Sequence, residues 1–144
     1  MTPEEEEVVL ATKRFYDALE QMMSGKGLAA MEAAWHHGDA VTSGHPAGEW
    51  AHGWDEVLAT WQVFDSFVRP NDAGGSEIRD IRPHVFGDVA YTTGAFVVAA
   101  AFGGSTLKVT NVLRRIDGVW KIIHHHADSA PRIEQELEAR AARA

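Results

Sequence analysis

The feature that most constrains this chain is the dipeptide Asp117-Gly118, which separates two apolar-rich runs, residues 108–116 and 119–127. Both central residues of a type I′ turn need a positive φ, so Asp-Gly between such runs predicts a β-hairpin with a two-residue loop. A loop of fixed length also fixes the register, and we expect Leu113 to face Ile122 and Asn111 to face His124. The sequence therefore predicts a long antiparallel hairpin as the centre of the fold.

Alternation along these two strands predicts that one of their faces forms a pocket. Successive side chains of a strand point to opposite faces, and this register puts Asn111, His124 and His126 together on one of them. The rest of that face is apolar, and an amide with two imidazoles in an apolar wall is typical of a ligand pocket. His125 falls on the opposite face, where we interpret it as a structural residue.

The rest of the sequence predicts three helices followed by a meander of strands. Thr2, Pro3 and Glu5 form a capping box with proline at the first helical position, which predicts a helix start. Gly38 to Glu49 reads as an extended or looped segment. The predicted helices cover residues 3–22, 28–35 and 54–68, and the predicted strands cover 77–85, 89–102, 105–116 and 119–127. This order predicts an α+β fold with the helices on one face of an antiparallel sheet.

The face opposite the pocket is predicted to be a contact surface between two copies of the chain. A two-residue loop at Gly103-Gly104 puts Phe96 on the pocket side and leaves an apolar outer face. That outer face comprises Ala95, Val97, Ala99, Val112 and Ile123. So large an apolar surface is seldom left in water, so we expect a homodimer.

Composition excludes several classes of function. The chain has 144 residues, no cysteine and a formal net charge of -8. An acidic chain lacks the basic stripe that nucleic acid requires, and a chain without cysteine has neither disulfides nor thiolate zinc sites. No signal peptide and no apolar run of membrane-spanning length is evident, so we expect a soluble cytoplasmic protein. No cofactor motif is present, and no cofactor is expected.

The order of elements and the final strand resemble a known superfamily. Two helices, the tetrapeptide HPAG at 45–48, a third helix and a meander ending in DGVWKIIHHHADSAP resemble the nuclear transport factor 2-like superfamily, in particular its SnoaL-like and ketosteroid isomerase-like members. The ending is also similar to the calcium/calmodulin-dependent kinase association domain, where D-G-x-W leads into H-x-H-x-S. The resemblance implies a cone-shaped, curved antiparallel sheet with three N-terminal helices on its concave face. It covers residues 1–131, and residues 132–144 are expected to form a short helical tail.

The resemblance also implies roles for individual residues. His45 stands where the isomerases carry a general-base aspartate, and Asn111 matches their hydrogen-bonding aspartic acid. Phe15 matches the position of their tyrosine, with Tyr16 one residue away on a different helix face. Because these groups differ, steroid isomerisation itself is not expected. An imidazole suits proton abstraction near neutral pH, and an amide donates a hydrogen bond at any pH.

These considerations predict a site and leave its chemistry open between alternatives. We expect His45, Asn111 and His126 to be catalytic. The predicted ligand-binding wall consists of Phe15, Tyr16, Trp35, Trp54, Trp61, Phe96 and His124. A three-histidine metal site is the less favoured interpretation, because no H-E-x-x-H motif or pocket-facing carboxylate supports it. A buried structural role for the same histidines is the alternative to catalysis.

Three functions follow from this site. The first is a cofactor-independent isomerase, dehydratase or cyclase that acts on a small apolar or aromatic ligand by histidine proton transfer. The second is a non-catalytic ligand-binding protein with the same pocket, and the third is a dimerisation module. The sequence favours the first two, because a vestigial pocket has no need of an amide and two imidazoles together.

Overall fold

The computed structural model describes residues 1–46, 48–69, 74–129 and 131–143. Its helices are α1 (Pro3–Met23), α2 (Ala29–Ala34), α3 (Trp54–Phe67) and α4 (Pro131–Arg143). Its strands are β1 (Thr42–Gly44), β2 (Ala51–His52), β3 (Glu77–Phe86), β4 (Val89–Val97), β5 (Thr106–Ile116) and β6 (Val119–Asp128). Residue 47 of the predicted loop and residue 144 at the end of the predicted tail lie outside the described residues.

The strands form one curved sheet in the order β2-β1-β6-β5-β4-β3. The predicted α+β architecture, a cone with helices on its concave face, is confirmed. The prediction of a wholly antiparallel sheet is wrong in one place, since the segment predicted to be extended or looped supplies β1, which pairs parallel to β6. Pro83 lies in the edge strand β3, where a missing amide donor is tolerated.

The hairpin turn forms as predicted, but the predicted register holds for only part of the hairpin. Asp117 and Gly118 have φ of 51° and 78°, as a type I′ turn requires. Leu113 pairs with Ile122, but Val112 then pairs with His124, so that Ile123 is an extra, bulged residue. Beyond this β-bulge every side chain of β6 lies on the face opposite to the predicted one.

The connection between β4 and β5 is also longer than predicted. Strand β4 ends at Val97, and a short 3₁₀ helix from Ala100 to Phe102 precedes the turn. Phe96 therefore pairs with Leu107 rather than Asn111, although it keeps the predicted inward direction. Ala99 is buried in the core, and the bulged Ile123 packs against that core. These two residues do not belong to the outer face, whose apolar part is smaller than predicted.

Helix α1 lies across the concave face and fixes the inner wall of the cone. Thr2 accepts from the Glu5 amide and Glu5 accepts from the Thr2 amide, so the predicted capping box is present. Further along, the Thr12 hydroxyl lies 3.1 Å from that of Thr92 on β4, a buried contact that ties helix to sheet. The inner side of α1 is packed into the hydrophobic core together with Trp35, Trp61 and the inward residues of β4, β5 and β6.

Candidate functional site

A cavity of about 660 Å³ opens between α1, α3 and the concave face of the sheet. This volume lies within the range of roughly 300–1,000 Å³ typical of small-molecule sites. Its walls are mostly apolar and include Leu19, Met23, Phe64, Phe67, Phe96 and Phe102. Val63 and Phe67 are exposed, whereas Tyr16, Phe96 and His125 are buried, so the former mark the mouth and the latter the inner end.

The inner end contains a hydrogen-bonded chain of three buried side chains, Tyr16, Asn111 and His125, which we call the inner polar chain. The Asn111 amide nitrogen donates to the Tyr16 hydroxyl at 2.8 Å. The Asn111 Oδ1 lies 2.7 Å from Nδ1 of His125. Tyr16 and His125 line the cavity, whereas Asn111 lies behind them and does not.

This geometry determines which atoms of the inner polar chain are left for a ligand. A carbonyl oxygen only accepts, so Nδ1 of His125 carries the proton and donates to Asn111. Nε2 of His125 then has a free lone pair, for which the described residues offer no hydrogen-bond partner. The Tyr16 hydroxyl accepts from Asn111 and keeps its own proton available. Tyr16 and His125 both line the cavity, so a donor and an acceptor both border its inner end.

Burial determines the charge state of these groups. Burial lowers the pKa of His125 well below its usual range, and the neighbouring histidines, led by His45, lower it further. Burial also raises the pKa of the Tyr16 hydroxyl, while the bond from Asn111 opposes this in part. Both groups are accordingly neutral near pH 7, since desolvation disfavours their charged forms.

His45 supplies a second imidazole to the same cavity. It follows β1 directly, and its ring centre lies 5.9 Å from that of His125 and 4.7 Å from that of Trp61. Its Nε2 lies 3.4 Å from the hydroxyls of both Ser43 and Thr60. The Thr60 hydroxyl donates to the Val57 carbonyl, so it can only accept from His45. Burial lowers the pKa of His45, so this imidazole also favours its neutral form.

The predictions that His124 and His126 face the pocket are wrong, because the bulge at Ile123 turns both to the outer face. Together with Trp50 they form what we call the outer imidazole cluster. The centre of the Trp50 ring lies 5.7 Å from that of His124 and 5.1 Å from that of His126. His124 bonds the Thr42 hydroxyl, and His126 lies 3.6 Å from the Asp128 carboxylate.

A glycine allows this cluster to form. Gly44 pairs with His126, and the Trp50 ring lies directly over its backbone. A Cβ at this position would come within 2.4 Å of the indole, closer than van der Waals contact permits. Gly44 therefore lets Trp50 cover the outer side of β1 and β6.

The aromatic residues predicted to bind a ligand divide into two layers. Tyr16, Trp61 and Phe96 line the cavity. Phe15 and Trp35 are buried in the core behind it, and Trp54 stacks on the His37 ring with centres 4.1 Å apart. The hydroxyl that contacts Asn111 belongs to Tyr16, so position 15 is not the functional match. Phe15 instead supports the site, since its ring lies 4.7 Å from that of His125.

Sequence reasoning missed His125, the most deeply buried histidine of the site. The signal that points to it is the dipeptide Ile122-Ile123, because two apolar residues in succession permit a bulge with either one facing inward. Asn111 adds a second indication, since a buried amide needs partners on both of its polar atoms.

The electrostatics of the cavity are those of an acidic or neutral site. Among its described lining residues there is no Lys or Arg, and Glu49 lies at its exposed rim. No three His, Asp or Glu side chains in the described part of the chain come together as metal ligands. In the same part of the chain, no helix is long and apolar enough to cross a membrane.

A curved, open sheet whose concave face and helices enclose a cavity defines a protein of the cone-shaped α+β class. Residues 12–132 match the SnoaL-like domain family, so the chain belongs to that family. The neighbours among solved structures place it in the nuclear transport factor 2-like superfamily, as the sequence predicts.

The similar proteins have different described roles. A candidate dehydratase of this superfamily from Streptomyces avermitilis has a TM-score of 0.72 and 26% identity, with 90% of this chain and 99% of that chain covered. A CaMKII hub from S. rosetta has a TM-score of 0.69 and 24% identity, with 90% and 98% covered. This fold commonly forms ligand-binding or enzymatic pockets.

One curated plant protein is also similar in sequence. The F-box protein SKIP8 of Arabidopsis thaliana is 28% identical over 102 residues, which are 71% of this chain. The match spans 42% of the length of the plant protein. It therefore concerns one part of a longer chain.

Proposed function

We propose that this protein binds a small, largely apolar molecule in the cavity and moves a proton on it, as an isomerase, dehydratase or cyclase does. The observation that supports the proposal is the inner polar chain, which leaves Nε2 of His125 unprotonated in a cavity that Tyr16 also lines. A neutral imidazole with a fixed tautomer is suited to act as a general base. The described role of the Streptomyces relative supports the same class of reaction.

In this proposal each residue has one task. His125 accepts the proton, the Tyr16 hydroxyl donates a hydrogen bond to the ligand oxygen on which charge develops, and Asn111 positions both. The proton returns to the ligand from His125 itself, and His45, whose ring centre lies 5.9 Å from that of His125 in the same cavity, orients the reacting part of the ligand. His126 has no part in the reaction, because its side chain lies on the outer face.

The test begins with the ligand. We expect a molecule retained by the purified protein, or found in a thermal-shift screen, to occupy the cavity in a crystal structure. Once a substrate is identified, His125→Gln is expected to lower kcat by about 10²–10⁴-fold with a small change in KM, as loss of a general base does. His126→Gln is the matched control and should leave kcat unchanged. A normal kcat in His125→Gln would refute catalysis by this residue.

Non-catalytic ligand binding is the second candidate function. The cavity walls are apolar and aromatic, and binding requires no proton transfer. In that case His125→Gln changes affinity, and no turnover of the bound molecule is detected.

We also propose that the chain forms a homodimer through the outer face of the sheet. Trp50 and Tyr91 are both exposed there, and Val97 and Val112 are half-buried in the single chain. Pairing of two such faces would remove these apolar side chains from water. The CaMKII hub among the similar structures supports an oligomeric role for this fold.

Light scattering at tens of micromolar tests this dimer. We expect Val97→Lys to yield a folded monomer, whereas the same change at Ile133, on the exposed helix α4, should leave the dimer intact. A monomeric wild-type protein at that concentration would contradict the proposal.

A further inference from the structure

The inner end of the cavity has a polarity that selects one kind of functional group. The Tyr16 hydroxyl offers a proton, and Nε2 of His125 offers a lone pair. Both are fixed by the same side chain, because the amide of Asn111 uses one atom for each neighbour. A ligand group that fills this end must accept one hydrogen bond and donate another.

We infer that the ligand is an uncharged aromatic or alicyclic alcohol or phenol, bound with its hydroxyl group at the inner polar chain. This inference rests on the proposed ligand-binding function and names the chemical class of the ligand. A hydroxyl group is the smallest group that both donates and accepts, and its oxygen accepts from Tyr16 while its proton goes to His125.

Other oxygen groups match this end less well. A ketone or ether accepts from Tyr16 but leaves the lone pair of His125 desolvated and unpaired, which is unfavourable in a buried site. One oxygen of a carboxylate can accept from Tyr16, but its second, negatively charged oxygen then faces the lone pair of His125 and is repelled by it. The described lining residues include no Lys or Arg that could balance the negative charge of the carboxylate. The seven residues that the structure does not describe also include no Lys or Arg.

The charge of the surroundings disfavours anions further. Glu49 lies at the rim of the cavity, and the chain as a whole carries a formal net charge of -8. Burial favours the neutral form of His125, so this residue does not supply a compensating positive charge. An anionic ligand would lose its hydration without gaining a partner of opposite charge.

The orientation of the ligand follows from the shape of the cavity. Its inner end is formed by the buried Tyr16, Phe96 and His125, and its mouth by the exposed Val63 and Phe67. With the hydroxyl group inside, the hydrocarbon skeleton lies along the aromatic walls. Those walls provide apolar contact along its length.

Titration calorimetry at pH 7.5 with three compounds of one skeleton tests the inference. The probes are 2-naphthol, 2-methoxynaphthalene and 2-naphthoate. We expect 2-naphthol to bind about tenfold more tightly than its methyl ether, which lacks the donor proton. Binding of 2-naphthoate should not be detectable under the same conditions.

Two variants locate the preference at one nitrogen. His125→Phe keeps a ring but removes the acceptor, so the tenfold preference for the naphthol over the ether should disappear. His124→Phe changes the adjacent residue on the outer face and should leave the preference unchanged. The comparison of the three compounds on the wild-type protein stands without variants, whether or not His125→Phe folds.

The outcomes separate this inference from the function on which it rests. Equal binding of the naphthol and the ether, or tighter binding of the naphthoate, would overturn the inference while the ligand-binding function stands. If no member of the series binds, the inference is overturned, and the retained molecule or the thermal-shift screen decides separately whether the proposed ligand-binding function stands.

Discussion

Two neighbouring histidines, His124 and His125, occupy opposite sides of the same strand and have opposite environments. His125 is buried, bonded to Asn111 and surrounded by aromatic rings on the concave side. His124 is half-buried on the outer side, between Thr42 and the exposed Trp50. The position of one bulged residue, Ile123, therefore determines which imidazole faces the cavity and which faces solvent or a second subunit.

The largest difference between the two sides is expected in stability. His125→Ala removes a buried ring and leaves the Asn111 carbonyl without its donor, so we expect a loss of about 3 kcal/mol in the free energy of unfolding. His124→Ala should lose less than about 1 kcal/mol, because its side chain is half-buried and water can replace its bond. Urea denaturation of the two variants measures both values. Equal losses in the free energy of unfolding for the two variants would contradict the claim that His125 is buried and His124 is not.

A second difference is expected in the dependence of stability on pH. Burial lowers the pKa of His125 in the folded chain below the value of about 6.5 expected when unfolded. Below that value the unfolded chain binds a proton that the folded chain does not, so the free energy of unfolding decreases as pH falls. The contribution of His125 to the free energy of unfolding is fully present above pH ~7.5 and decreases as the pH falls through ~6.5 toward the lowered pKa of the folded chain.

Urea denaturation at several pH values between 7.5 and 5.5 checks this sign. His124→Asn should reduce the slope only slightly, because its pKa is lowered by a half-buried environment and by the nearby His126. An equal slope in the wild type and in His125→Phe would show that His125 is not held neutral.

The smallest effect is expected at the exposed end of the outer imidazole cluster. The His126 side chain is 41% exposed, and its carboxylate partner Asp128 is 3.6 Å away at the surface. Exposed pairs of this kind contribute little, so His126→Ala should change the free energy of unfolding by less than about 0.5 kcal/mol. Calorimetric titration with 2-naphthol should give the same affinity as for the wild type. A weaker affinity would indicate that His126 reaches the cavity.

Local sequence signals predicted the elements that depend on local chemistry. The capping box at Thr2 and the positive φ of Asp117 and Gly118 each depend on a few adjacent residues. The local sequence is therefore sufficient to predict them. The parallel pairing of β1 with β6 depends on residues more than 80 positions apart, such as Thr42 and His124. A three-residue strand in a segment rich in Gly and Pro gives no local signal of that partner.

The sequence predicted part of the composition of the candidate site but not the register of its strands. His45, Tyr16, Trp61 and Phe96 line the cavity as expected, because their faces depend on helices or on β1 and β4. The run Ile-Ile-His-His-His fits a regular strand and a bulged strand equally well. Packing decides between them, since the bulge gives the buried Asn111 amide two partners and lets Trp50 cover the remaining imidazoles.

Imidazole nitrogen spectra provide the most direct test of the claim that His125 is the ligand-facing histidine. Long-range ¹H–¹⁵N correlation spectra, assigned with single histidine variants, would be recorded at pH 7.5 and 5.5 with and without 2-naphthol. We expect His125 to keep a protonated Nδ1 and an unprotonated Nε2 at both pH values, and its Nε2 signal to shift on ligand addition. Double protonation of His125 at pH 5.5, with the ligand-induced shift at His124 or His126 instead, would show that His125 does not face the ligand.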